Sequence, residues 1–401
     1  LTINAKGLVV NDDILGQVAL GYCAFIERNR AVTATRLTVF ALQPDAPLDA
    51  TQLLEVLAPV WPANGSRLLL GVTSESLLQQ LLLAAPPAHM TIEVPAFMAC
   101  DEANTRALLA LHAHGNALLL KGAPLKPLSA EVRSCFSHSL LDLADGPPAH
   151  GGLPQIVSGI ATLEHMEGAF ERGATAVLGW PIGDEVTRSA PAGAQAGGAP
   201  IDLQAVVELM RQVDQAEPVD KIERTLKRDP SLSFKILRYI NSPAFGLSVV
   251  VSSFSHAVML LGYQRLKRWL ALMLATASTQ PSLRATMFAS VRRGLLMEEL
   301  ARDSSDAEMR NELFICGVFS LLDRLFDQPL PQLLRTIPVP QGVYDTLAEG
   351  RGPYVAYFNL ARAIESQSLY DIRDCADALM MDMRQVNRAL LRALTTASQL
   401  D

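Results

Sequence analysis

The stretch Leu226–Gly246, LKRDPSLSFKILRYINSPAFG, decides the fold of the second half of the chain. Asp229 ahead of Pro230 places a capping carboxylate before a proline at the first helical position, where the missing N–H costs nothing. Leu232, Phe234, Ile236, Leu237 and Ile240 follow as an apolar stripe broader than a surface helix carries, so this helix is expected to be buried. The turn residues NSPAFG end it. Working outward, DLQAVVELMRQV and DKIERTLKR precede it with helical spacing, HAVMLLG follows and closes at Gly262, and YQRLKRWLALMLATA begins again beyond that glycine. Further helices are expected from Ala285 to Asp303, from Glu308 to Phe326, and onward to the amphipathic RQVNRALLRALTTA. Strand signals are almost absent, and the half reads as all-α.

The segment Ser189–Pro200, SAPAGAQAGGAP, has no charge and nothing to bury, so it reads as a linker. Before it the pattern changes. Short apolar runs, LTVFAL from Leu37, RLLLGVT from Arg67, MTIEVPAF from Met90 and ALLLKG from Ala117, alternate with helical stretches such as SESLLQQLLLA from Ser74 and DEANTRALLALHAHG from Asp101. Alternating strand and helix implies an α/β unit built on a parallel sheet. The expected division is 1–188, a linker at 189–200, and 201–401, the last with a core at 201–279 and a helical subdomain at 280–401.

A chain of 401 residues exceeds one ordinary core, and 49% hydrophobic against 19% charged residues can fill two cores without covalent staples. Cys23, Cys100, Cys135, Cys316 and Cys375 are scattered and odd in number, which suggests buried thiols rather than a disulfide framework or zinc site. No apolar run is long enough to span a bilayer, and the N-terminus lacks a basic segment followed by a long apolar one, so a cytoplasmic location without membrane insertion is expected. A net charge of -7 argues against nucleic-acid binding by bulk electrostatics. The basic stretches KIERTLKR and RLKRW suggest a helix-turn-helix, but the helix after Asp229 is apolar nearly all round, whereas a recognition helix presents polar side chains to base edges.

The order and spacing of RDPSLS, INSPAFG and the AVMLLG helix, continuing through VSSFSHAVMLLGYQRLKRWLALM, resemble the HDOD domain, an all-helical relative of the HD phosphohydrolases without their metal site. An HD enzyme needs His and Asp side by side among further ligands. In GVFSLLDRLF from Gly317 the two positions are Ser320 and Leu321, which cannot hold a metal. His256 is the sole histidine of this half and reads as a packed or capping core residue, and Asp323 as a solvated or capping carboxylate. The resemblance implies a domain that binds partners, and the turn residues Asn241, Ser242, Pro243 and Phe245 are candidate contacts, with packing inside the domain as the alternative.

The first half resembles a degenerate EAL domain, the (β/α) barrel that hydrolyses cyclic-di-GMP. The resemblance rests on FIERNRAV from Phe25, LLLGVTSESLL and MTIEVPAF in the middle, and ATLEHMEGAFERGATAVLGWPIG from Ala161. It implies carboxylates at the C-terminal mouth of the barrel holding two divalent cations. Carried over position by position, the signature Glu falls on Arg36, the Asn on Gly71, and the Asp-Asp pair on Lys121 and Gly122. Ser158 and Ala161 stand where later acids would be, the Lys position falls on Leu140, and Glu93 keeps the third-strand Glu. One carboxylate beside Arg36 and Lys121 does not suit two cations, so no metal and no cofactor is expected. The basic pair either attracts an anionic ligand or is salt-bridged, with Glu93 as the partner of Lys121. The combined expectation is a catalytically inactive signalling scaffold that binds other signalling proteins in cyclic-di-GMP-linked regulation. Weak cyclic-di-GMP sensing or residual phosphodiesterase activity in the degenerate pocket is the alternative.

Overall fold

The computed structural model describes residues 2–3, 9–10, 12–43, 47–63, 65, 67–145, 152–183, 203–226, 254–276 and 280–398. The linker at 189–200, the helix after Asp229 and the candidate contacts Asn241, Ser242, Pro243 and Phe245 lie outside the described residues.

Two short strands, β1 (Thr2–Ile3) and β2 (Val9–Val10), pair antiparallel. Eight longer ones form a closed barrel: β3 (Val18–Glu27), β4 (Val32–Ala41), β5 (Arg67–Val72), β6 (Met90–Pro95), β7 (Leu118–Lys121), β8 (Phe136–Asp142), β9 (Gln155–Ile160) and β10 (Ala176–Gly179). Neighbours from β4 to β10 pair in parallel. β3 alone runs against them, joined to β4 by a hairpin and closing the ring against β10. The four apolar runs singled out in the sequence are β4 to β7, with β4 beginning five residues before Leu37 because its first half alternates polar and apolar residues.

Helices between the strands start at side-chain caps. Asp49, Ser74, Asp101 and Thr162 each accept backbone N–H bonds at the starts of Ala50–Leu57, Glu75–Leu83, Glu102–His114 and Leu163–Glu171. Gly115 ends Glu102–His114 in the left-handed region at φ 99°, as the sequence suggests. Leu37, Val39, Leu68, Leu70, Ile92, Val94 and Leu118 are fully or nearly fully buried, and the strands read as apolar runs because both faces of the ring are covered. Trp180 packs edge-on against Tyr22, its ring centroid 5.5 Å away, and its Nε1 donates to the Tyr22 carbonyl.

By packing, the chain forms two compact units, residues 1–184 with 360–391, and residues 185–359 with 392–401. The sequence reading assigns everything after the linker to the helical half, whereas Leu360–Leu391 belongs with the barrel. Asn387 is the physical reason. Its buried amide donates to the Leu15 and Val18 carbonyls at 2.8 and 2.7 Å, and its Oδ1 accepts the Leu20 N–H at 3.0 Å. Arg388 and Arg384 add ion pairs to Asp12 and Asp13. Nothing in the helical periodicity of RQVNRALLRALTTA distinguishes a helix packed on its own bundle from one packed on a barrel.

The described part of the second unit is helical: Leu203–Asp214, Val219–Leu226, Phe254–Ala275, Arg284–Leu300, Ala307–Phe319, Leu322–Phe326, Leu330–Thr336 and Gln341–Glu349. Phe254–Ala275 is interrupted at Gly262 (φ 71°), the stop expected from the sequence. The single helix expected from Glu308 to Phe326 is instead two. They part at Ser320–Leu321, where Leu321 leaves the helical region at φ −122° and ψ 14° and the Ser320 hydroxyl donates to the Gly317 carbonyl. No helix among the described residues is long and apolar enough to cross a membrane.

Candidate functional site

Strand alternation places Cys23, Arg36, Leu69, Glu93 and Lys121 on the same face of the barrel wall, the lumenal one. In register, Arg36 faces Cys23 and Leu69, Thr38 faces Gly21 and Gly71, Glu93 faces Leu119, and Lys121 faces Leu140. Because seven strands are parallel, their C-terminal ends share one mouth. Glu93, Lys121, Thr38 and Gly71 lie toward it.

The Arg36 guanidinium forks onto Glu93, with Nε 2.5 Å from Oε1 and Nη2 2.7 Å from Oε2. Their side chains are 11% and 1% exposed, so this is a buried bidentate pair. Burial alone would lower the Arg36 pKa, but the adjacent Glu93 carboxylate more than offsets it and raises the pKa above the ordinary arginine value. Lys121 stands off at 3.8 Å from Glu93 Oε2 and is 46% exposed. Glu93 thus pairs with Lys121, as the sequence suggests, and is gripped more closely by Arg36 through the fork. Gly71 belongs to the same arrangement. A methyl group there would lie 2.8 Å from Glu93 Oε2 and 3.4 Å from Arg36 Nη2, so the ion pair fills the space that a side chain at this position would take.

The remaining positions do not converge into a ligand set. The Gly122 N–H donates to the Leu140 carbonyl, Ser158 Oγ donates to Asp142 Oδ2 at 3.2 Å and to the Leu141 carbonyl, and the Ala161 carbonyl accepts the Gly183 N–H. A pair of divalent cations needs several free hard donors. Here both oxygens of Glu93 are taken by a guanidinium, and a second cation, Lys121, sits beside them. The residues present do not fit two metals.

The sequence reading misses two residues that complete the mouth, Thr38 and Gln367. Gln367 Oε1 accepts from Arg36 Nη1 at 3.3 Å and from the Thr38 hydroxyl, and the Gln367 side chain lies beside the thiol of Cys23. Cys23 is 1% exposed, and burial pushes its pKa up to about 11. No local signal marks Gln367, which lies 331 residues from Arg36 in the chain.

In the helical unit, Ser320 and Leu321 are both buried. Ser320 Oγ accepts from Arg293 Nη1 at 2.7 Å, so a hydroxyl and a guanidinium occupy the place where the resemblance implies ligands. Of the two readings of Asp323, solvated or capping, the solvated one fails, and the residue stands in the first turn of Leu322–Phe326. Its side chain is 15% exposed, and burial raises its pKa despite the neighbouring Arg324 guanidinium. His256 falls in the helix Phe254–Ala275, with its side chain outside the described residues. Among the described basic residues considered for nucleic-acid contact, Lys221 pairs with Glu217, Lys267 with Asp214, and Arg268 with Glu298 while stacked 3.8 Å over Phe314.

Residues 200–326 match the HDOD domain model. The cyclic di-GMP phosphodiesterase CdgJ of Vibrio cholerae is 29% identical over 189 residues, 47% of this chain and 44% of that protein. The uncharacterized protein YuxH of Bacillus subtilis is 28% identical over 165 residues, covering 40% of each. The matched stretch thus spans less than half the length of either curated relative. Among solved structures, the PaMucR phosphodiesterase in complex with c-di-GMP aligns at a TM-score of 0.30 and 14% identity over 42% of this chain and 91% of that one. The Bacillus subtilis YkuI protein, which has an EAL domain and is in complex with substrate c-di-GMP and calcium, aligns at 0.29 and 10% over 63% and 74%. At those scores the structural likenesses carry no weight of their own.

Proposed function

From a chain that carries an HDOD domain behind a closed barrel, we propose a catalytically inactive signalling scaffold that acts in cyclic-di-GMP-linked regulation by binding other proteins in the cytoplasm. The observation that carries this reading is the buried Arg36–Glu93 fork. It neutralises the one carboxylate kept from the expected ligand set, and Lys121 adds positive charge beside it. The sequence match to a protein named as a cyclic di-GMP phosphodiesterase supports the link to that messenger. A fold whose ligand positions hold basic, hydroxyl and apolar side chains serves recognition most simply. We assign partner contact to Asn241, Ser242, Pro243 and Phe245, the contacts that the HDOD resemblance offers. Replacing Phe245 by Asp is expected to abolish capture of an identified partner while leaving the thermal transition in place.

A second reading, metal-free recognition of the dinucleotide, is favoured by the exposed ammonium of Lys121. Calorimetry of the whole chain with cyclic-di-GMP, with and without magnesium, separates the two. The scaffold reading expects no heat of binding in either condition. Heat without magnesium supports the sensor, and heat only with magnesium contradicts both.

A further inference from the structure

The barrel mouth holds an occupant from its own chain. Gln367 lies between the helices Val355–Ser366 and Leu369–Ala378, in the left-handed region at φ 57°, a conformation a glutamine keeps only where its surroundings hold it. The barrel wall is shaped for it. Gly21 lacks a side chain where one would meet Gln367, since a carbon there would lie 3.0 Å from the Gln367 Cα and 2.9 Å from its Cγ. The amide oxygen takes hydrogen bonds from Arg36 and Thr38, and Cys23 lies beneath it, sealed from solvent. The same segment is fastened at a second point by the buried amide of Asn387 and the ion pairs of Arg384 and Arg388.

We infer that Leu360–Leu391 is a resident stopper of the barrel, with Gln367 as its tip, and that access to the Arg36–Thr38 end of the lumen requires this segment to withdraw. The amide oxygen of Gln367 meets the donors that an anionic oxygen would otherwise meet, an intramolecular occupant in the place of a ligand. Residues 185–359 and 392–401 form the other unit, so the chain enters and leaves the stopper through it. The covalent order therefore makes the helical unit an insertion between the barrel and the segment that closes it.

Peptide-resolved alkylation of the whole chain tests this independently of any binding or hydrolysis of the dinucleotide. Gln367→Gly keeps the backbone turn and removes the tip. It is expected to raise the alkylation rate of Cys23 by about tenfold or more while Cys135, buried in the same barrel, stays at its original rate. An unchanged Cys23 rate overturns the inference. Where Cys135 rises in step because the variant loses its fold, Gly21→Ala decides: the added methyl meets the Gln367 backbone and pushes the tip out from the barrel side. Cys23 is then expected to alkylate faster with Cys135 still protected, and a Cys23 rate equal to the parent's contradicts the stopper.

Discussion

The barrel mouth and the Ser320–Leu321 bend are the two places where the resemblances imply metal-binding side chains, and they lack them in different ways. At the mouth the charge is kept and reversed, with a guanidinium on the remaining carboxylate and an ammonium nearby. At the bend the charge is gone from both positions, replaced by a hydroxyl bonded to Arg293 and a buried leucine. The difference teaches that the mouth is electrostatically committed. Its two buried charges depend on each other, whereas the bend depends on ordinary packing and one charge-assisted hydrogen bond. Substitutions at the two sites should therefore differ in cost.

The largest effect is expected for Glu93→Gln, which leaves the Arg36 guanidinium buried against a neutral amide. Removing one partner of a buried pair costs about 3–5 kcal/mol. Urea denaturation should show that loss, with most of it recovered in the double variant Arg36→Met/Glu93→Gln. A loss within about 1 kcal/mol would place the pair among surface salt bridges and erase the contrast. Ser320→Ala comes next. It withdraws one acceptor from a charged donor, a change of about 1–2 kcal/mol measured the same way. A cost equal to that of Glu93→Gln would mean the bend is as electrostatically committed as the mouth.

How much of this is legible in the sequence differs between the two regions for physical reasons. Strands β5 to β7 and the helices capped by Ser74 and Asp101 are readable because apolar period and capping chemistry act over a few residues. The positions of Arg36, Glu93 and Lys121 follow from the resemblance, and their types alone exclude the expected donor set. What cannot be read is long-range: that Arg36 joins Lys121 on Glu93 and holds it more closely, and that Gln367 and Asn387 belong to the barrel at all. An isolated glutamine between two helices has no pattern that names its partner. The break at Ser320–Leu321 escapes the sequence reading because neither residue is a breaker by type: Ser290 makes the same kind of back-bond inside an unbroken helix, and Leu321 leaves the helical region.

A smaller effect sharpens the electrostatic account of the lumen from its other end. His138 faces the lumen on β8, and burial, with the Arg67 guanidinium, lowers its pKa below the ordinary 6.5. The unfolded chain then binds the proton more readily, so His138 contributes full stability above about pH 6.5 and loses it as pH falls toward the folded-state value. Between about pH 7.5 and about 5.5, the melting temperature of the parent chain should fall more steeply than that of His138→Gln. Parallel slopes would remove His138 from the account. Least of all is expected from Lys121→Ala. The ammonium is half exposed and 3.8 Å from a carboxylate already satisfied, so a change within about 0.5 kcal/mol is predicted. A change above about 2 kcal/mol would make Lys121, and not Arg36, the principal partner of Glu93.

The most direct measurement is hydrolysis of cyclic-di-GMP by the purified whole chain in saturating magnesium and, separately, manganese. A guanidinium seated on Glu93, the one carboxylate kept at an expected ligand position, predicts no linear product above the protein-free control with either ion. Metal-dependent turnover that disappears when Glu93 is replaced by Gln, in a chain that still melts cooperatively, would contradict the account.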